Sequence, residues 1–546
     1  MPLLYATPAA MTITTDCARV APGQVVEIQV RGGDAQAALS LDAMRWDGRV
    51  IRIRADGTGT ETRVRWKAPA PDGTGYLLIA RRGTSLATCG LDVSSRWTLY
   101  PRYGYLAHFG PDLETRAPGI IDGLRDLGLN VLQFYDFQFR HDQPLSDQPI
   151  WPDIANRPTC ASTVQALVKA CKRNRIAAMA YNLGYGGYAD YAEHGMSPAW
   201  GLYSDPLGKR QITASLPSGW ATPSIALFAP DDPGLIDHLA REQQRVMDRF
   251  SFDGWHIDTL GDPGAAYRSG GTAVKLDETF PAFLRGVRQR VSGDLVMNAV
   301  AGYGLAAIAS GPTAMTYMEC WDKDAQRTYL DLNHLVRSLR STGRQGTVAG
   351  YMNYRKAQRG EGEFNTSGVL LTQATLLASG GFQIALGDDG RMLCHEYFPN
   401  RNLAVPPRLL AVVRDQIHFA IAYQNLLRGP DTESIDLPVR LGGGAFSRDA
   451  EPGTVWAFAT RTGQFATVHC INLVSATSNE WRDTDGLQPP IRPQAHLHAT
   501  VPQRCHRVWW ASPDTSQGIR MELPVRDGEV QLPELNVWGM LILELK

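Results

Sequence analysis

Two acidic residues sit in apolar surroundings where a solvated carboxylate has little reason to be. Asp258 ends the run FDGWHID (252–258), and Glu319 lies near the end of AMTYMEC (314–320). Hydrolysis of a glycosidic bond commonly uses two carboxyl groups flanking it, one ionised and one holding a proton for the leaving oxygen. Further polar and aromatic residues follow other apolar runs. QFYDFQFRHD supplies Tyr135, Asp136, Arg140, His141 and Asp142, and YNLGYGGY supplies Asn182 and Tyr185. Asn298 and Tyr303, then Trp321 and Asp322, then Asn353 and Tyr354, and finally Asp388 complete the set. Carboxylates and amides bind hydroxyls, and ring faces cover apolar C–H surface, so the mixture suits a sugar. It suits a phosphate poorly, because Gly184, Gly186 and Gly187 lack both the GxGxxG spacing and the phosphate-loop lysine. No G-x-S-x-G elbow is present to support serine esterase chemistry. His496-Leu-His498 lies beyond these runs and reads as two same-face strand histidines, so no metal is assigned. His256 reads as a packed strand histidine, and His141 as a donor to a sugar hydroxyl.

Elements able to bring these residues together are legible in the pattern. Eight short apolar runs alternate with longer helical stretches: YGYLAHF (103–109), NVLQFYD (130–136), IAAMAYN (176–182), FDGWHID (252–258), LVMNAV (295–300), AMTYMEC (314–320), TVAGYMN (347–353) and GFQIAL (381–386). Eight βα units in about 330 residues predict a (β/α)8 barrel, whose active site lies at the C-terminal ends of its strands. The candidate residues all follow such ends. The Gly/Pro-rich stretch between the third and fourth strands predicts an extended loop over one face. Period-two alternation before residue 99 and after residue 430 predicts flanking antiparallel β-sandwiches. The expected division is 1–98, an N-terminal β-sandwich; 99–430, the barrel; and 431–546, a C-terminal β-sandwich.

Composition narrows the partners. The 546 residues carry 54 basic and 55 acidic side chains, a net charge of -1, which supplies no field for nucleic acid or an anionic membrane. The most apolar stretch, 368–386, is interrupted by Thr372, Gln373, Ser379 and Gln383 and split at Gly380-Gly381, so it reads as a helix, a turn and a strand. Eight cysteines without a CxxC pair read as buried free thiols; Cys17 with Cys89, or Cys470 with Cys505, are the pairings open in an oxidising compartment. The first residues lack a signal-peptide pattern, which predicts a cytoplasmic protein, or a secreted or periplasmic one if a leader was removed. No cofactor is called for, and the oligomeric state is left open.

FDGWHIDTLG, YMECWD, QFYDFQFRHDQPL and LGDDGRMLCHEYFPN together resemble glycoside hydrolase family 66, in order from about residue 100 to 400. That family holds endo-dextranases and cycloisomaltooligosaccharide glucanotransferases. The resemblance implies Asp258 as nucleophile, Glu319 as acid/base and Asp136 as a residue holding the sugar in the reactive subsite. It implies retention of configuration on α-1,6-linked glucan, with transfer or cyclisation where an acceptor 6-hydroxyl replaces water. Cyclising members tend to carry an inserted carbohydrate-binding module. No gap between the barrel strands has room for one, which favours hydrolysis. Members are typically secreted, so an intracellular relative would meet imported isomalto-oligosaccharides, cyclic ones included. A non-catalytic glucan-binding protein is the alternative from another class.

Overall fold

The computed structural model describes residues 11–55, 59–321, 325–398 and 402–545. Its central sheet consists of β1 (Tyr103–Leu106), β2 (Val131–Phe134), β3 (Ala177–Leu183), β4 (Gly254–Asp258), β5 (Asp294–Val300), β6 (Thr316–Cys320), β7 (Gly346–Gly350) and β8 (Phe382–Gln383). The strands are parallel, and their order in space follows their order in the chain. The Tyr105 N–H donates to the Leu386 carbonyl at 3.1 Å, and a parallel bridge from Tyr105 to Gly387 joins β1 to the end of β8. A Cβ at Gly387 would lie 2.3 Å from the Tyr105 ring, so a glycine is what lets the last strand pass.

Eight helices cover the barrel: α1 (Ala117–Asp126), α2 (Ala161–Arg173), α3 (Pro233–Phe250), α4 (Leu276–Arg288), α5 (Leu305–Ser310), α6 (Tyr329–Arg340), α7 (Thr366–Ala378) and α8 (Pro407–Ala422). Local chemistry sets their starts. Asp232 caps α3 by accepting from the Gly234 N–H at 2.8 Å, with Pro233 at the first helical position. Thr328 and Asp331 form a reciprocal capping box on α6. The apolar stretch is indeed helix, turn and strand. α7 is apolar all round because it packs between α6, α8 and the C-terminal strand Phe465–Asn472. No described helix is long and apolar enough to cross a membrane.

The flanking regions are β-structured. Seven strands between Met11 and Val93 form a three-stranded and a four-stranded antiparallel sheet. After residue 432, the strands Val455–Thr462, Phe465–Asn472, Trp538–Leu545 and Cys505–Ala511 centre a larger sheet, which shares an apolar core with the sheet of Arg440–Gly442, His498–Thr500 and Glu529–Gln531. One pairing there departs from the antiparallel expectation: Phe446–Ser447 runs parallel to Val455–Trp456. His496 also departs, having a left-handed φ of 62° outside the strand that holds His498, so the two do not share a strand face. Among the described residues, no group of three metal-ligating side chains is close enough to hold an ion. All eight cysteines are free thiols. Residues between β3 and β4 do more than loop across: Gly186–Tyr188, Ser224–Leu227 and Thr213–Ser215 form a small sheet, and Leu202–Tyr203 pairs with Ala266–Arg268.

One buried ion pair fastens the N-terminal sheets to the first barrel strand. Arg102 donates through Nη1 to Asp92 Oδ2 at 2.8 Å and through Nη2 to the Ala18 carbonyl at 2.9 Å, while Gln424 Nε2 donates to Asp92 Oδ1 at 2.9 Å. Both ions are buried, so removing one leaves the other unpaired in low dielectric. Arg102→Met is expected to destabilise the protein by about 3–5 kcal/mol, read from chemical or thermal unfolding. A loss below 1 kcal/mol, about a surface pair's worth, would contradict this.

Candidate active site

Alternation along the barrel strands decides which side chains enter the interior. On β4 these are His256 and Asp258, on β6 Tyr317 and Glu319, and between them Asn298 rises from β5. His256 is buried against the aromatic floor, edge-on to Tyr317 at 4.7 Å and hydrogen-bonded to the Tyr103 hydroxyl at 2.9 Å. Burial pushes it down to about 3, so it is a neutral packing residue, as its sequence context suggested. Asp258 and Glu319 stand one layer above this floor.

A single amide nitrogen joins the two acids. Asn298 Nδ2 donates to Asp258 Oδ1 at 2.8 Å and to Glu319 Oε2 at 3.0 Å. The two hydrogens of an amide nitrogen diverge, which leaves those oxygens about 5 Å apart. Asp258 also accepts from the Tyr181 hydroxyl at 2.7 Å and the Thr259 N–H at 2.9 Å. Glu319, only 9% exposed, accepts from the Tyr351 hydroxyl at 2.5 Å. Burial, followed by the charge of Asp258, raises Glu319 to about 7, against the opposing pull of Tyr351 and Asn298. Burial raises Asp258 as well, but three donors favour its anion. The pair therefore divides into an anion at Asp258 and a carboxyl that holds its proton near neutrality at Glu319.

Asp136 follows β2 in a left-handed conformation, φ 51°. Its carboxyl is buried 3.7 Å from Arg157 Nη2 and accepts from Gln138 Nε2 at 3.4 Å. Burial raises it to about 7, and the Arg157 charge opposes that rise. Tyr135 is buried between Tyr181, with centroids 4.7 Å apart, and Phe398, stacked at 4.3 Å.

Several other predicted residues are engaged in holding loops. Arg140 forms a fork with Asp142 at 2.8 and 3.0 Å, reaches Asp190 at 2.6 Å and lies over the Tyr188 ring, which ties the connections after β2 and β3 together. Asn182 accepts from His141 Nδ1 at 2.8 Å and donates to the His141 carbonyl at 3.0 Å. Burial lowers His141 to about 4. Gln138 Nε2 lies 3.1 Å from the same Nδ1, so the ring is held between two amide side chains. Tyr185 is 1% exposed, stacks on Phe280 and accepts from the Leu260 N–H at 3.0 Å, so it is core and not a sugar platform. Tyr303 accepts from the Asp277 N–H in the first turn of α4. Asn353, fully buried with φ 55°, donates to the Asp483 carbonyl at 2.6 Å and so ties the barrel to the C-terminal region. Asp388 is buried and accepts from His108 Nδ1 at 2.8 Å. Trp321 stands edge-on to Tyr351, and Tyr354 stacks on His395. Asp322 lies outside the described residues.

Sequence reasoning missed Tyr181, Tyr351, Arg157 and Phe398. Tyr181 carried a usable signal. It is in register with the inward-facing His256, whereas Asn182 beside it points the other way. Arg157 had no such signal, because a loop between β2 and α2 brings it to Asp136.

A closely spaced carboxyl pair at the C-terminal mouth of a (β/α)8 barrel, one ionised and one protonated, is the arrangement of a glycosidase. The chain belongs to glycosyl hydrolase family 66, whose model matches residues 15–542. It is 25% identical to a cycloisomaltooligosaccharide glucanotransferase of Niallia circulans, over 97% of this chain and 71% of that protein. It is 24% identical to a dextranase of Streptococcus salivarius, over 86% of this chain and 67% of that one. The crystal structure of a Paenibacillus cycloisomaltooligosaccharide glucanotransferase, complexed with cycloisomaltoheptaose, superposes with a TM-score of 0.87 at 23% identity, covering 97% of this chain and 100% of that one. The last likeness is one of fold.

Asp258→Asn removes the neighbouring charge, so the Glu319 midpoint, followed by carboxyl 13C NMR, is expected to fall from about 7. An unmoved or higher midpoint would show that burial alone sets it.

Proposed function

We propose that the protein is a retaining, endo-acting glycosidase of α-1,6-linked glucan, taking dextran or isomalto-oligosaccharides, cyclic ones included. The observation that carries the mechanism is the shared Asn298 amide. It holds the two carboxyl oxygens less than about 6 Å apart, short of the about 6.5–9.5 Å that an inverting water requires. Asp258 attacks C1 while Glu319 gives its proton to the departing glycosidic oxygen, leaving a glucosyl ester on Asp258. Glu319, now ionised, takes a proton from water, whose oxygen attacks C1 and frees Asp258. Tyr181 and the Thr259 N–H orient the nucleophile, and Tyr351 orients the acid. Asp136, backed by Arg157, binds a hydroxyl of the sugar being cleaved, and His141 binds another.

The substrate comes from the relatives' names, dextranase and cycloisomaltooligosaccharide glucanotransferase. Transfer to a sugar hydroxyl is the second reading, because the same ester serves both. Hydrolysis stays the main reading because no gap between the barrel strands has room for an inserted carbohydrate-binding module. The division into 1–98, 99–430 and 431–546 stands as part of this proposal. It is supported by the separate apolar clusters of the two flanking regions.

Incubation with dextran and with linear and cyclic isomalto-oligosaccharides should release shorter isomalto-oligosaccharides whose first-formed anomer, by 1H NMR, is α. A β anomer would overturn the retaining assignment, and cleavage of some other glucan alone would overturn the linkage. Asp258→Asn is expected to lower kcat at least about a thousandfold while substrate binding persists. A purely binding protein would show no turnover to lose. Because Glu319 must be protonated for the first step, kcat/KM is expected to fall as pH rises through about 7. A profile flat to pH 9 would contradict the assignment of the acid.

A further inference from the structure

Four rings from three different connections stand in a row across the barrel mouth. Tyr354 follows β7, His395 and Tyr397 follow β8, and Trp220 comes from the segment between β3 and β4. Neighbouring centroids are 5.1 Å apart for Tyr354 and His395, 5.3 Å for His395 and Tyr397, and 5.1 Å for Tyr397 and Trp220. The planes fan open along the row, at 14°, 39° and 68°. None of the four is buried. Tyr397, at 40% exposure, is the one aromatic among the exposed large hydrophobic side chains of the described residues. Open aromatic surface gathered at a cleft is a recurring mark of a ligand groove.

The row is braced through polar edges and backbone. The Tyr354 hydroxyl donates to Glu396 Oε1 at 3.3 Å, and the Tyr397 N–H donates to His395 Nδ1 at 3.2 Å. Arg157, which sits behind Asp136, donates to the Phe398 carbonyl at 2.6 Å, so the loop bearing the rings is anchored to the sugar-binding wall. On the far side, Asn156 Nδ2 donates to the carbonyl of Gly219, next to Trp220, at 2.6 Å. Burial disfavours the charged form of His395, against the opposing pull of the Glu396 charge. The row starts on the Glu319 side of the pair, because Tyr354 follows β7, which lies beside β6, and Tyr351, just past the end of β7, donates to Glu319 Oε1 at 2.5 Å.

We propose that Tyr354, His395, Tyr397 and Trp220 form the track that binds glucose units on the leaving-group side of the cleaved bond. This rests on the retaining α-glucanase reading above and assigns its chain-length preference. The acid that protonates the leaving oxygen stands on that side, so the departing chain must run past Glu319 and over the rings. The same track holds an incoming sugar hydroxyl when transfer competes with water.

Trp220→Ala and Tyr397→Ala separate this role from a structural one, because both side chains are partly exposed and melting temperatures report folding independently. With linear isomalto-oligosaccharides from the trimer upward, wild-type kcat/KM is expected to rise with length. Each variant should lose about three- to tenfold on the longest substrates, mainly through KM, and progressively less on shorter ones. Tyr397→Phe, which keeps the ring, should restore the length dependence. An equal loss at every length, or none, would overturn the track while leaving the glycosidase reading intact. If the wild type cuts no member of the series, that reading fails. Calorimetric titration of the longest oligosaccharide into wild type and Trp220→Ala then decides the track alone: weaker binding to the variant supports it, and equal or absent binding overturns it.

Discussion

The site depends on one nitrogen. Asn298 Nδ2 supplies a hydrogen to each acid, and this fixes their separation more firmly than two independent partners would. Two carboxylates at this distance in a low-dielectric interior cannot both ionise cheaply, so geometry and protonation are set together. Three donors on Asp258 against two on Glu319 then decide which of them keeps the proton. β5 matters because it lies between β4 and β6 and presents an amide at the height of both acids.

Beneath the pair, the barrel interior is filled by Tyr103, His256, Tyr317 and Tyr181. This floor excludes water from one side of the acids, and burial is the largest reason that both pKa values rise. The rings keep polar edges that find partners. His256 and Tyr103 satisfy one another, and the Tyr181 hydroxyl reaches Asp258. Packing and catalytic electrostatics are thus carried by the same side chains.

The walls are built from loops, and loops need fastening. The Arg140 bond to Asp190, the Asn353 bond to Asp483 and the Arg157 bond to Phe398 each join segments distant in sequence. Left-handed backbone at Asp136 and Asn353 turns the chain sharply as it leaves β2 and β7. These contacts and turns hold the mouth at a fixed shape.

The eight barrel strands, the two acids and Asn298 were legible in the sequence because strand alternation and the rule for barrel mouths act locally and in one direction. A residue at the end of an apolar run must emerge at the top. Asp136 was legible in the same way, at the end of the second run. Which of the remaining polar residues would face a ligand was not. Arg140, Asn182, Tyr185 and Asn353 have the right chemistry at the right strand ends, yet each is spent on a neighbouring loop or the core. Residue type states what a side chain can bond to, and only the tertiary structure decides which partner reaches it first. Arg157, Phe398 and the ring row come from connections whose course no period describes, so their contacts with one another became visible only in three dimensions.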